Sequence, residues 1–281
     1  MTDIYRGPRD NGFVNMIKRF LERGKLKSEY ISELLSQESL SVWDAVFTSE
    51  EANPGSNSEI YEFLGDGSIN NALVFYILRR FPQLKCSKGV KVLARLKINM
   101  VSRDYFSSIA TTLGFEPYIT SKMEERNDMR KLLEDCLEAS FGALVWMLDE
   151  KIRIGVGNSI AYNILASVLD EREISLEYTS LFDAITRLKE LFDVSAFKDR
   201  GIGTMKKIEG GPNAGATNPM DAFYAIVSRE TQGKIIEVIG RATGPTLSDA
   251  KQAAASKAIE MLNARGFRKE IAPEYLRFCR Y

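Results

Sequence analysis

Apolar residues recur with a helical period along the first two thirds of the chain, and further on the pattern turns to strand-like runs. Phe13, Met16, Ile17 and Phe20 share one helical face, and Tyr30, Leu34 and Leu35 follow, so residues 12–45 read as helical. Residues 52–57, with Asn53-Pro54-Gly55 at their centre, read as a loop. Ser58 is placed to cap a helix that runs to Phe81 and stops at Pro82. Residues 88–114 carry Val92, Leu93, Leu96 and Met100, then Phe106, Ile109 and Leu113, which predicts two helices, the second ended by Gly114. Polar residues 120–130 read as a loop, residues 128–148 as a strongly apolar helix, and residues 158–169 as a further one. Residues 1–10 read as a loose tail.

After Leu181 the pattern changes. A helix over 183–192 leads into a Gly-rich region, 201–217, with room for a strand near 204–208. Strand-like runs over 222–228 and 234–242 flank Arg229-Glu230-Thr231-Gln232-Gly233, which reads as a hairpin turn. Ser248 or Asp249 is placed to cap a last helix that runs to Ala264 and closes at Gly266. The expected fold is an all-α domain followed by a small α+β domain.

The 281-residue chain has no net charge, but the charge is uneven. Residues 1–182 hold 22 Lys and Arg against 26 Asp and Glu, and residues 183–281 hold 16 against 12. An acidic part beside a basic part suits a cation site beside a polyanion-binding surface. Cys86, Cys136 and Cys279 are widely spaced, which argues against a disulfide framework and fits a reducing, cytoplasmic setting. No apolar signal run opens the sequence, and no stretch approaches the ~18 apolar residues of a membrane span. Histidine is absent. That excludes Ser-His-Asp and Cys-His nucleophile systems, imidazole acid–base pairs, His-ligated zinc and Glu-x-x-His di-iron bundles. Hydrolysis by this chain must rest on carboxylates, Lys, Tyr or metal-activated water.

Carboxylates stand where that chemistry needs them. Glu59, Glu62 and Asp66 lie at i, i+3 and i+7, one face of a helix at about 100° per residue. Asp135 and Glu138 lie at i, i+3 on the strongly apolar helix. Carboxylates set among apolar residues are costly without compensation, and an all-oxygen donor set selects Mg2+ or Mn2+. By spacing alone, two solvated helix faces remain an equal alternative.

The string Ser58-Glu59-Ile60-Tyr61-Glu62-Phe63-Leu64-Gly65-Asp66-Gly67 resembles the ribonuclease III signature N-E-R-L-E-F-L-G-D-S. Residues 131–143, with Glu134-Asp135-Cys136-Leu137-Glu138-Ala139, resemble the second acidic helix of that family, A-D-x-x-E-A-x-x-G-A. The resemblance implies a catalytic domain over 12–171, with Glu62, Asp135, Glu138 and Asp66 as metal ligands. It implies catalytic parts for Asp66, Glu138, Glu59 and Lys131: Glu59 positioning substrate or a second ion, Lys131 near phosphate. It implies Mg2+ as cofactor, with Mn2+ able to substitute, and a homodimer into whose partner subunit Phe63 inserts, a plain core phenylalanine being the alternative. The chain departs from the family at Ser58, Gly67 and Ser49, the last where histidine is usual.

The second domain resembles a double-stranded-RNA-binding domain of α-β-β-β-α order over 182–266, after a 172–181 linker and before a 267–281 extension. That resemblance implies RNA contacts from Lys251, Glu190, Arg187 and Lys257, the alternative for Glu190 being a pair with a neighbouring lysine. Leu247 and Ser248 stand where lysines are expected, and the strand-connecting loop has Pro219 but no histidine. The expected function is Mg2+-dependent endonucleolytic cleavage of double-stranded RNA, leaving 5′-phosphate and 3′-hydroxyl ends. The alternative is a catalytically weak or silent relative that binds or sequesters duplex RNA.

Overall fold

The computed structural model describes residues 3–278, apart from the side chain of Lys206. Cys279 lies outside the described residues, whereas Cys86 is an exposed and Cys136 a buried free thiol. The chain divides into two compact units, residues 1–174 and 175–281.

The first unit is almost wholly helical. A short strand, β1 (Ile4–Tyr5), precedes α1 (Asn11–Glu22), α2 (Ser28–Glu33) and α3 (Gln37–Val46). Asp10 caps α1, its side chain accepting from the Phe13 N–H at 3.1 Å, and Ser36 caps α3 likewise from Ser39 at 3.3 Å. Then come α4 (Glu59–Arg80), α5 (Val90–Met100), α6 (Arg103–Leu113), strand β2 (Ser121–Lys122), α7 (Met129–Lys151) and α8 (Val156–Leu169). Gly114 ends α6 at φ +79°, as a left-handed terminator should. Helix α7 buries twelve residues and is the axis of the unit. Edge-to-face rings tie α1 and α3 to it: Phe20 lies 5.4 Å from Phe141 and 6.2 Å from Trp43, whose indole N–H donates to the Leu34 carbonyl at 2.9 Å.

Three segments of this unit differ from their expected form. The segment expected to be a loose tail is built in: β1 pairs with β2, and Arg9 donates to the Tyr118 carbonyl and to Asp44, both at 2.6 Å. Residues 120–130 are accordingly not all loop, because β2 and a 3-10 turn, Glu125–Asp128, lie among them. Ser58 does not cap α4 with its side chain; it is buried and already helical, and Asn57 accepts from the Glu59 N–H at 3.2 Å instead.

The second unit holds the short α9 (Tyr178–Leu181), α10 (Ala184–Phe192), α11 (Ser195–Asp199), strands β3 (Thr204–Pro212), β4 (Phe223–Thr231) and β5 (Lys234–Gly244), then α12 (Leu247–Ala264) and α13 (Pro273–Phe278). The strands form an antiparallel sheet in the order β3-β4-β5. The hairpin turn is tighter than expected: Arg229 and Glu230 belong to β4, and the chain reverses at Gln232 (φ +53°) and Gly233 (φ +78°). Two left-handed residues match the right-handed twist of the flanking strands. Helix α12 is capped by Thr246, which accepts from the Asp249 N–H at 3.1 Å, rather than by Ser248 or Asp249. Its alanines Ala250, Ala254, Ala255 and Ala258 join Leu188, Leu191, Val227 and Ile239 in one core. The segments expected as linker and extension are packed: Leu181 and Phe278 are buried, and Tyr275 meets Phe182 edge-on at 5.2 Å. Among the described residues no helix is long and apolar enough to cross a membrane.

Candidate active site

Two glycines set the site. A Cβ added to Gly65 of α4 would stand 1.8 Å from the backbone oxygen of Glu138 on α7, and one added to Gly142 would stand 1.8 Å from that of Tyr61. The helix backbones therefore touch at a distance that no pair of ordinary side chains permits. Glu62 and Asp66 lie on either side of Gly65 along α4, and Asp135 lies one turn before Glu138, so the crossing brings the two acidic stripes close enough to feel each other's charge.

The electrostatics follow from that crowding. The Glu138 carboxyl is pushed up to about 8, first by burial and then by the charges of Asp66, Glu134, Glu62 and Asp135. Glu62 is pushed up to about 7, by burial first and then by Asp135 and Glu59. Burial also raises Asp135, against the pull of Lys131, whose Nζ lies 3.3 Å from its Oδ2. Lys131 is raised in turn, chiefly by Asp135. All five predicted carboxylates thus belong to one field, with Lys131 at its edge.

This donor set suits a hard divalent cation: its candidate donors are all carboxylate oxygens, and Lys131 at the edge offsets only part of their charge. Among the described residues no three acidic side chains stand arranged as a ready-made cage. Beside the cluster opens a small cleft of about 100 Å³, lined by Ser49, Glu51, Glu59, Glu125, Lys131 and Asp135 among others. Within that lining Ser49 donates to Glu125 at 2.8 Å.

Sequence reasoning missed three residues around the cluster. Glu134 adds its charge to Glu62 and Glu138, and it is held by Arg103 Nε at 2.8 Å. Asn70 donates to Asp66 Oδ1 at 2.6 Å. Asn70 stands four residues after Asp66, so helical spacing alone could have found it. Arg103 was not findable this way, since it comes from another helix.

Phe63 is 79% exposed on α4, with Ile60 and Leu64 also exposed beside it, so it is not a core residue of this chain. In the second unit Lys257 is exposed, while Lys251 and Arg187 are half-buried. Glu190 is not an open contact: it accepts from the Tyr178 hydroxyl and, at 2.7 Å, from Lys269 Nζ.

The model of the Ribonuclease III domain matches residues 59–148, the span from the first carboxylate of α4 to near the end of α7. A provisional ribonuclease 3 of Frog virus 3 (isolate Goorha) is 39% identical over 252 residues, 87% of this chain. The chain spans 62% of that protein's length. A provisional ribonuclease 3 of Invertebrate iridescent virus 6 is 35% identical over 272 residues, 92% of this chain and 90% of the viral protein. Ribonuclease 3 of a Nitratiruptor species is 29% identical over 215 residues, 74% of this chain and 84% of the bacterial one.

Proposed function

The chain belongs to the ribonuclease III family, a family of RNA-cutting hydrolases, and on that premise we propose that it is a Mg2+-dependent endonuclease of double-stranded RNA. The observation that carries the proposal is the contact of α4 and α7 at Gly65 and Gly142, which gathers Glu62, Asp66, Asp135 and Glu138 into one under-compensated acidic site.

Those four residues would hold the cation, for which Mn2+ can stand in for Mg2+. The bound ion would supply a nucleophilic water at neutral pH and neutralise charge at the phosphate. The chain's own groups do the rest. Glu59, exposed at the start of α4, borders the cleft and orients substrate from there. Lys131, also exposed, offers its ammonium to a phosphate oxygen next to Asp135. Cleavage of the P–O bond on the 3′-oxygen side leaves 5′-phosphate and 3′-hydroxyl ends.

Phe63, Ile60 and Leu64 form an apolar face on α4 that a second copy of the chain would cover. A homodimer then presents two acidic sites to one duplex, one for each strand. The second unit would take duplex RNA by shape and phosphate contacts, with Lys251, Lys257 and Arg187 as the basic groups. Asp249 already occupies the first turn of α12, and Glu190 is engaged, so its binding is expected to be weak.

The test is incubation of long duplex RNA with the protein and Mg2+, followed by end mapping. Cleavage with 5′-phosphate products that is lost in Glu138→Gln supports the proposal. No cleavage by the wild type, or undiminished cleavage by Glu138→Gln, overturns it. Retained duplex binding without turnover would make the chain a sequestering protein instead.

A further inference from the structure

We infer that Asn70 is a positioning residue for the proposed metal-dependent cleavage, fixing the Asp66 carboxylate without neutralising it. The inference rests on the cation site proposed above. Asn70 sits one turn after Asp66 on α4. Its Nδ2 donates to Asp66 Oδ1 at 2.6 Å and to the Asp66 backbone oxygen at 2.8 Å. Both partners can only accept, so the amide nitrogen must be the atom that faces them. One hydrogen of the NH2 group is held by the rigid helix backbone, and the other therefore points at the carboxylate in a set direction.

The other anchored acids around the site are held differently. Asp135 is paired with Lys131 Nζ at 3.3 Å, and Glu134 with Arg103 Nε at 2.8 Å. A cationic partner orients a carboxylate but cancels the charge that a metal ion would need. A neutral amide orients it and leaves the full charge in place. Among the described residues no hydrogen bond is seen to the side chains of Glu59, Glu62 or Glu138, so Asp66 is the site acid prepared in this way. Asp66 is also the charged neighbour that weighs most on Glu138. Where its carboxylate stands therefore sets the charge between the two helices. Preorganising it removes an ordering cost from ion capture.

The experiment is isothermal titration of Mg2+ into the RNA-free protein, for wild type, Asn70→Ala and Asn70→Gln, alongside cleavage measured across Mg2+ concentrations. Asn70→Ala is expected to raise the Mg2+ dissociation constant roughly five- to tenfold, the size expected for one partly exposed hydrogen bond to a charged group. The Mg2+ needed for half-maximal cleavage should move by the same factor, and saturating Mg2+ should repair most of the loss in kcat. Asn70→Gln keeps an amide on the same face and should recover at least half of the shift. Alanine favours the helix, and metal-free melting curves of both variants check that each is folded. Wild-type Mg2+ affinity in Asn70→Ala, or a fall in kcat that saturating Mg2+ does not repair, overturns the inference alone. A wild type that neither binds Mg2+ nor cuts RNA overturns the site reading and this inference with it.

Discussion

The backbone oxygen of Glu138 occupies the space that a methyl group on Gly65 would need, at 1.8 Å from its Cβ position. Neither partner can give way cheaply, because the oxygen belongs to one helix backbone and the new Cβ would be fixed directly to the other. Gly65→Ala should therefore force α4 and α7 apart. A loss of about 3 kcal/mol or more in urea unfolding is expected, at the upper end of overpacking costs. Cleavage should fall with it even in the folded fraction, since the two acidic stripes separate. Gly142→Ala should behave alike, through the Tyr61 carbonyl. Near-wild-type stability in both would mean the crossing is looser than described.

The raised carboxyls make stability depend on pH in an unusual direction. Glu62 and Glu138 stand at about 7 and about 8 in the folded chain, against an ordinary value of 4.5. Between those limits the folded state binds more protons than the unfolded one. The metal-free protein should thus lose stability as pH rises from about 4.5 to about 8. Mg2+ should flatten that slope by supplying the missing positive charge. Thermal melts at pH 5 and pH 8, with EDTA and with Mg2+, measure both effects; a flat metal-free profile would contradict the crowding.

At the other unit the sign reverses. Glu237 is held down to about 2, chiefly by two hydrogen bonds from Arg265 and then by one from Arg229. Its contribution is present above about 4.5 and is lost as pH falls towards 2. Arg265→Leu should make the second unit unfold at a higher pH in acid titration, followed by circular dichroism. The pair is exposed, so the shift should be modest and fade in high salt.

Phe63 stands 79% exposed next to Ile60. Phe63→Glu should leave the fold of the chain intact, because no core contact is lost, yet convert the proposed dimer to a monomer in sedimentation. It should also cost at least about tenfold in cleavage of long duplexes, since two coordinated cuts need two sites. A Phe63→Glu protein that remains dimeric would remove this face from the interface.

Local pattern carried much of the fold. The helical beat located α4, α5, α6 and α7 closely, because each buries a continuous stripe whose period is a property of the helix itself. The β1–β2 pair escaped, since it joins residues more than a hundred positions apart and neither strand is long enough to show alternation. Thr246 was overlooked as the cap of α12 because Ser248 and Asp249 are equally plausible cap residues two and three places on. That Glu190 pairs with a lysine was a legible alternative, but that the lysine is Lys269 was not, as nothing in either neighbourhood signals a fold-back of the extension.

By itself the sequence determined the helical and strand segments, the absence of imidazole chemistry and the two acidic stripes, since each follows from residue type and spacing along one element. Only the tertiary structure decided that the stripes meet, that Arg103 takes Glu134, and that Glu190 is spent inside its own unit. The physical reason is that such contacts depend on how closely two backbones approach. In α4 and α7 that distance is set by two hydrogen atoms, the side chains of Gly65 and Gly142, and which carbonyl each one meets is decided only when the helices pack.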